Sequence, residues 1–401
     1  MTDSPYKKAS LINSLKERAL YQYLNLVDTG LSGPAKNADG EKWVLLVKLD
    51  LLGDYILIRN FLKSIKTSER FKDHKLAFCC NAGIEELSRH LDKDVVDEWI
   101  PLKLKPFLKD KVYRKELWSK LRKRHYTTAL FPTQSRSFFY DDMIAKNIYA
   151  SEKIGTQGNG YNQLPWQHRK GAQYFTRLVP SEEKKGFEYQ KNKEYFHSVL
   201  GEDNAPSLPK IAVSQMPKQA TVLLSPGASA EFRRWPTEQF VALTKSILKA
   251  VPDCQVIVSG SPGEKDLGYA IKLAFPDDDR VVDRCGALKL SELTEFLGTC
   301  HLVVSNESGT VHLARAVGVK HIYCISNGNH FGRFNPYPEN GDDIHLSYFY
   351  PSELRKTLNG EHTEIELADL YWGSKIPIDT VRTEDVVGQL EKEFSEIFQT
   401  V

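Results

Sequence analysis

The chain has 401 residues, 41% hydrophobic and 26% charged, with a formal net charge of +2. That is long enough for two or more domains with separate cores, ordinary for a soluble protein, and too near neutral to suggest nucleic-acid binding. Six cysteines, including the adjacent Cys79 and Cys80, lack the paired spacing of a disulfide framework or zinc site and point to a reducing cytoplasm. No run reaches the roughly 20 apolar residues of a membrane span, and the N-terminus lacks the apolar core of a signal peptide.

Residues 1–42 read as a helical extension. Leu11, Ile12, Leu15, Leu20, Leu24 and Val27 have helical spacing, with Lys7, Lys8, Lys16 and Arg18 beside them, so the helix is expected to pack on the protein or on a partner chain. Val44 to Val47 form a buried parallel strand. The chain then turns through Lys48 to Gly53, and Ile56, Leu57, Asn60, Phe61 and Ile65 continue as a helix. Asp54 therefore stands at a helix start, at the carboxyl end of a strand, where open α/β sheets bind ligands. It reads either as a cleft carboxylate or as an N-cap, and Asp50 competes for the first role.

Further strands are expected at 76–80, 97–101, 127–131 and 153–155, giving one parallel sheet. Between them, Lys103 to Arg124 carries ten basic residues against Asp110 and Glu116, interleaved with Leu104, Phe107, Leu108, Tyr113, Leu117, Trp118 and Leu121. This is an amphipathic helix or loop, either attracted to anionic lipid head groups or a phosphorylated glycolipid acceptor, or simply a solvated face.

A helix at 186–200 and a proline-containing run at 205–218 lead into a second sheet, with strands at 221–225, 255–259, 280–283, 301–305 and 320–325. Two strand–loop–helix units here have the composition of an anion site. In 224-LSPGASAEFRRWPTEQF-240 a small-residue loop precedes Arg233 and Arg234, and Pro236 opens a helix. In 305-SNESGTVHLARAVG-318 a turn at Ser308-Gly309-Thr310 starts a helix whose first amides and dipole suit a phosphate, with His312 one turn in. The plainer reading is a helix capped by Ser308 or Thr310, with His312 on the surface. Together the two units suit a diphosphate. Asp277 to Asp279 read as a solvated loop, not as a metal-holding pair. Residues 327–377 read as irregular, and 379–398 as a terminal helix.

KLDLLGD near the start, PGASAEFRRWP in the middle and SNESGTVHLA followed by VKHIYCI resemble the heptosyltransferases of glycosyltransferase family 9, which build the lipopolysaccharide core. The segments 257–266 and 282–306 are similar to the family's second half. The resemblance runs from about Trp43 to Ile325, with almost nothing between Gly158 and Lys218.

The resemblance implies a GT-B architecture: two Rossmann-like domains with parallel sheets facing a central cleft, an acceptor side at 43–217, a nucleotide-sugar side at 218–378, and a terminal helix at 379–401 that can cross back to the first domain. It implies inverting, metal-independent transfer, by default of heptose from ADP-heptose, onto a hydroxyl of a lipopolysaccharide-type or other glycan acceptor. Asp54 matches the general base, with Lys48 and Gly53 on the same loop. Ser229 lies at a phosphate contact, Glu264 at a ribose contact, and Ser308, Gly309, Thr310 and His312 in the nucleotide-sugar motif. Arg233 replaces the family's usual lysine, which keeps the charge and adds bidentate capacity. Glu307 replaces an aspartate, and its extra methylene puts the sugar's identity in doubt. No cofactor beyond the nucleotide-sugar co-substrate is implied. The expected location is cytoplasmic, with 103–124 either at the inner face of the membrane or simply a solvated face. A non-hydrolysing sugar-nucleotide epimerase and a non-catalytic scaffold are the rival readings.

Overall fold

The structure, a computed structural model, describes residues 10–31, 33, 40–181, 185–201, 206–213, 219–338 and 342–398. Lys7 and Lys8 lie outside these residues, as do 214–218 of the proline-containing run. The chain divides into two compact units, one of residues 1–51 and 58–207, the other of 52–57 and 208–401.

The first unit holds strands β1 (Trp43–Lys48), β2 (Lys75–Asn81), β3 (Glu98–Leu102), β4 (Tyr126–Phe131), β5 (Ala150–Thr156) and β6 (Arg177–Val179). Its helices are α1 (Leu11–Val27), α2 (Leu52–Thr67, whose first turn belongs to the other unit), α3 (Glu85–Leu91), α4 (Leu104–Lys109), α5 (Lys111–Leu121), α6 (Met143–Asn147), α7 (Pro165–Ala172) and α8 (Glu188–Leu200). The second unit holds β7 (Thr221–Ser225), β8 (Gln255–Val258), β9 (Val281–Asp283), β10 (Leu302–Asn306), β11 (His321–Ile325) and β12 (His345–Phe349). Its helices are α9 (Thr237–Ala250), α10 (Lys265–Leu273), α11 (Leu290–Leu297), α12 (Gly309–Val317), α13 (Ser352–Leu358), α14 (Leu367–Leu370) and α15 (Thr383–Phe398).

Both sheets are six-stranded and parallel, in the orders β3-β2-β1-β4-β5-β6 and β12-β11-β10-β7-β8-β9. Each order reverses direction at a central pair, β1/β4 in one and β7/β10 in the other. At such a pair the loops leaving the strands diverge to opposite faces and open a crevice beyond the carboxyl ends. β1, β7 and β10 are buried along their whole length and β4 everywhere but at Thr127, as expected of parallel strands covered on both faces.

Two regions differ from the sequence reading. β6 is a three-residue edge strand, too short to produce a hydrophobic pattern. The tail contains β12, α13 and α14: His345 to Phe349 adds to β11 in parallel, although the Asn, Gly and Pro around it suggest irregular chain. The terminal helix α15 packs on the second sheet, where Val386, Leu390, Ile397 and Phe398 join the core with Phe240, Leu243 and Ile325.

The N-terminal helix is tied to the first unit by a buried charge cluster. Arg114 of α5 grips Asp28 through Nε and Nη2, both at 2.7 Å, while Trp118 Nε1 at 2.8 Å and Asn147 Nδ2 at 3.1 Å donate to the same carboxylate. The guanidinium lies 4.2 Å from the Phe107 ring centroid. Arg122 and Arg124 also turn inward, Arg122 to the Asn147 carbonyl and Tyr149 hydroxyl, Arg124 to Glu98 and the Trp43 ring. The lysines of this segment stay exposed.

Removing one partner of such a pair leaves an uncompensated buried charge. Asp28→Ala is expected to lower the stability of the first unit by about 3–5 kcal/mol, read by urea denaturation.

Candidate functional site

The loops after β7 and β10 lie side by side because those strands pair in register, Leu224 with Val304 and Ser225 with Ser305. One buried side chain joins them. Asn306, the last residue of β10, accepts from the Trp235 amide at 3.0 Å and donates Nδ2 to the Pro226 carbonyl at 2.6 Å. Arg234 curls back onto the Ala228 carbonyl at 3.0 and 3.1 Å, so it shapes its own loop and is not a second ligand-facing cation.

Arg233 points the other way. Its Nη1 donates to Ser229 Oγ at 3.3 Å, and its Nη2 donates to the Glu307 carbonyl and lies 3.8 Å from Glu307 Oε1. Its Nε has no partner among the described residues. Glu307 is buried. Its Oε2 accepts from Ser326 Oγ, and burial raises its carboxyl above the ordinary range despite Arg233 and Ser326.

The start of α12 stands beside this arginine. Ser308 is its N-cap and accepts from the Thr310 amide at 3.2 Å, so the capping reading holds for Ser308 and that amide is already engaged. The Thr310 hydroxyl lies 3.2 Å from Ser225 Oγ. Gly318, at φ +90°, closes the helix in the left-handed region.

His312 is buried, contrary to the surface position allowed for it. Its Nδ1 is 2.6 Å from the Tyr337 hydroxyl, and burial together with the charges of Arg233 and Arg315 pushes its pKa down to about 3. The ring is thus neutral near pH 7 and adds no cation to Arg233. Arg315, buried on the same helix, pairs with Asp342 and stacks 4.5 Å from the Tyr337 ring.

The first turn of α2, part of the same unit, packs on this helix start. A Cβ on Gly53 would come within 2.7 Å of His312 Cδ2, and one on Gly309 within 2.7 Å of Leu52 Cβ, so neither position takes a side chain without displacing its neighbour. Asp54 lies in this turn. It is not the cap, because Leu51 holds the N-cap position and no side chain caps the helix. Glu264 reaches the cluster from beyond β8. Its Oε2 accepts from the Ser261 amide at 2.6 Å, and its Oε1 lies where a Cβ on Gly227 would be, 2.0 Å away. Gly227 thus makes room for the carboxylate.

A sequence model described as glycosyltransferase family 9 (heptosyltransferase) matches residues 114–356, more than half of the chain. The chain belongs to glycosyltransferase family 9. Over 93 residues it is 31% identical to lipooligosaccharide heptosyltransferase 2 of Haemophilus influenzae, a match spanning 22% of this chain and 26% of that relative, about a quarter of its length. The fold is similar to that of a glycosyl transferase family 9 protein from Veillonella parvula, with TM-score 0.65, 14% identity, and 90% and 100% of the two chains covered. It is also similar to Escherichia coli heptosyltransferase WaaC with ADP, with TM-score 0.62, 15% identity, and 87% and 99% covered. The E. coli ADP-heptose heptosyltransferase II gives 0.59, 15%, 88% and 98%. Two Rossmann-like units with parallel sheets are the GT-B fold class.

Of the residues singled out for this family 9 member, Gly53, Asp54, Ser229, Arg233, Glu264, Glu307, Ser308, Gly309, Thr310 and His312 all fall in the second unit. Lys48 falls in the first. It is buried at the end of β1, with Nζ 2.9 Å from Asp50 Oδ2 and 3.7 Å from Glu188 Oε1. Thr133 Oγ1, beyond the end of β4, donates to the same Asp50 oxygen at 3.2 Å.

Beyond these, sequence reading missed Asn306, Tyr337 and a buried group at the end of β4. A π-helical turn at 138–142 directs Asp141 and Asp142 inward. Burial and the Asp50 charge push Asp141 up to about 7. Asp142, held at 2.8 Å by Arg136 and at 2.6 Å by Gln163, is pushed by burial up to about 6. The signal was there to read: 136-RSFFYDD-142 sets three charges in an aromatic run. Among the described residues no group of three or more His, Cys, Asp or Glu is placed to hold a metal ion.

His312 also makes an acid signature. Its folded pKa of about 3 is below its ordinary 6.5, so between those values the unfolded chain binds a proton that the folded chain does not. Stability from this group is full above about pH 6.5 and is lost toward pH 3, by about 1.4 kcal/mol per pH unit. His312→Gln is expected to lose less melting temperature than the parent protein between about pH 6.5 and about pH 4. Equal pH slopes for the two would contradict the assignment.

Proposed function

We propose that the chain is an inverting glycosyltransferase that takes a sugar from a nucleoside-diphosphate donor, by default ADP-heptose, and transfers it without a metal to a hydroxyl of a lipopolysaccharide-type or other glycan acceptor. The observation that carries this reading is the position of Arg233. A single guanidinium is anchored by Ser229 and the Glu307 backbone at the strand ends of the β7/β10 reversal, beside the positive end of α12 and the turn that bears Asp54.

In the proposed reaction the acceptor oxygen attacks the anomeric carbon as the bond to the diphosphate breaks. Its proton passes to the Asp54 carboxylate, and the charge gathering on the leaving diphosphate is met by Arg233 and the α12 dipole. Neutral His312 then serves as a hydrogen-bonding group: when the Tyr337 hydroxyl donates to Nδ1, the proton sits on Nε2 and faces the Gly53 turn. Glu264 is proposed at the ribose, and Glu307, tied to Ser326, at a sugar hydroxyl. Lys48, buried between two carboxylates, is proposed to position Asp50 instead of binding donor. The exposed lysines of 103–124 are the proposed contact with the cytoplasmic face of the membrane carrying a glycolipid acceptor.

Arg233→Ala is expected to weaken ADP binding by about 1.5–3 kcal/mol in calorimetry, the range for hydrogen bonds to charged groups. Unchanged affinity would remove the arginine from the site. Asp54→Asn is expected to keep ADP affinity and fold while cutting transfer roughly 100-fold or more, assayed in chelator to test metal independence as well. If Asp50→Asn abolishes transfer and Asp54→Asn does not, the base is Asp50.

A further inference from the structure

Helix α1 has two apolar faces, and among the described residues only one is packed. Tyr21 and Leu24 pack on Phe138 and Met143, with Leu20 and Trp166 at the margin. At about 100° per residue, Leu11, Leu15, Ala19, Ile12, Tyr23 and Leu26 share one arc of about 120° on the other side, interrupted only by Gln22. Leu11 is 77% exposed, Ile12 65%, Leu15 58% and Leu26 71%. A stripe of large aliphatic side chains along a whole docked helix is not ordinary surface scatter.

The surroundings of the stripe are basic. Lys16 and Arg18 flank it on either side and are exposed. The Lys111 ammonium lies 5.4 Å from the Tyr23 ring centroid, which brings the start of α5 to this helix, and Val112 beside it is 67% exposed. Lys105, Lys109 and Lys115 are exposed on α4 and α5. The nearby acids are largely engaged elsewhere: Asp110 caps α5 through the Val112 and Tyr113 amides, Glu17 accepts from Gln167, and Asp28 is locked to Arg114. An apolar centre with a cationic border matches the boundary between head groups and acyl chains of an anionic bilayer. A second copy of the chain would bring the same lysines against each other.

We infer that the outer face of α1, with the lysines of α4 and α5, is a monotopic membrane-binding surface. Leu11, Ile12, Leu15 and Leu26 enter an anionic phospholipid leaflet, and the Asp28–Arg114 cluster holds the helix in place. This extends the contact proposed for 103–124, and vesicle binding does not require transfer, so either reading can fail alone.

The test is sedimentation of the full chain with vesicles of phosphatidylcholine containing about one third phosphatidylglycerol, and with phosphatidylcholine alone. The protein is expected to pellet with the anionic vesicles only, and less in high salt. Leu15→Asp/Leu26→Asp and, separately, Lys111→Glu/Lys115→Glu are each expected to reduce partitioning about tenfold or more, with the melting temperature unchanged. Failure to pellet, equal pelleting with neutral vesicles, or binding untouched by both double variants would overturn the proposal. So would a concentration-dependent dimer, seen by light scattering, that Leu15→Asp/Leu26→Asp dissolves, since the stripe would then belong to a second copy.

Discussion

The Asn306 side chain is the interaction on which the second unit's site depends. Two loops that begin on neighbouring strands and lead to different helices have no ladder of their own to hold them. A single buried amide, using its oxygen for Trp235 and its nitrogen for Pro226, fixes both. Trp235 in turn donates Nε1 to the Val381 carbonyl at 2.8 Å and stacks edge-on against Phe240, so the loop's exit is anchored in the core. Arg233 inherits its position from this frame: two residues before Trp235, it closes a short 3-10 turn and reaches across to the Glu307 backbone.

Around that arginine, burial decides which groups carry charge. Glu307 and His312 are both buried within its reach, and desolvation shifts each toward its neutral form, upward for the acid and downward for the base. The result concentrates positive charge on one guanidinium, with the helix start behind it. The first unit shows another solution, in which Lys48 is buried between Asp50 and Glu188 and the Asp50 charge helps raise Asp141.

Most of the sheet architecture was legible because central parallel strands write themselves as unbroken apolar runs, as at Val44 to Val47 and Leu302 to Val304. The strand ends were legible too, since Gly, Ser and Arg after such a run have few structural reasons to cluster. Edge elements were not: β6 is too short for a pattern, and β12 sits among Asn and Pro that mimic a loop. At the site, residue identity was readable where local chain sets the role, as with Ser308 capping α12. It was unreadable where distant chain does. Nothing near His312 in sequence announces Tyr337, 25 residues away, and nothing near Lys48 announces Glu188.

The placement of α15 constrains how the chain can mature on the ribosome. Every strand of the first sheet lies within residues 43–179, so that core can close while later residues are still being made. The second sheet is complete at Phe349, but its core gains Val386, Leu390, Ile397 and Phe398 only later. Until that helix emerges, the Tyr323 hydroxyl lacks Glu393, to which it donates at 2.7 Å. A nascent chain stalled before residue 383 would carry a finished first unit and a sticky second one, the species that holdase chaperones capture.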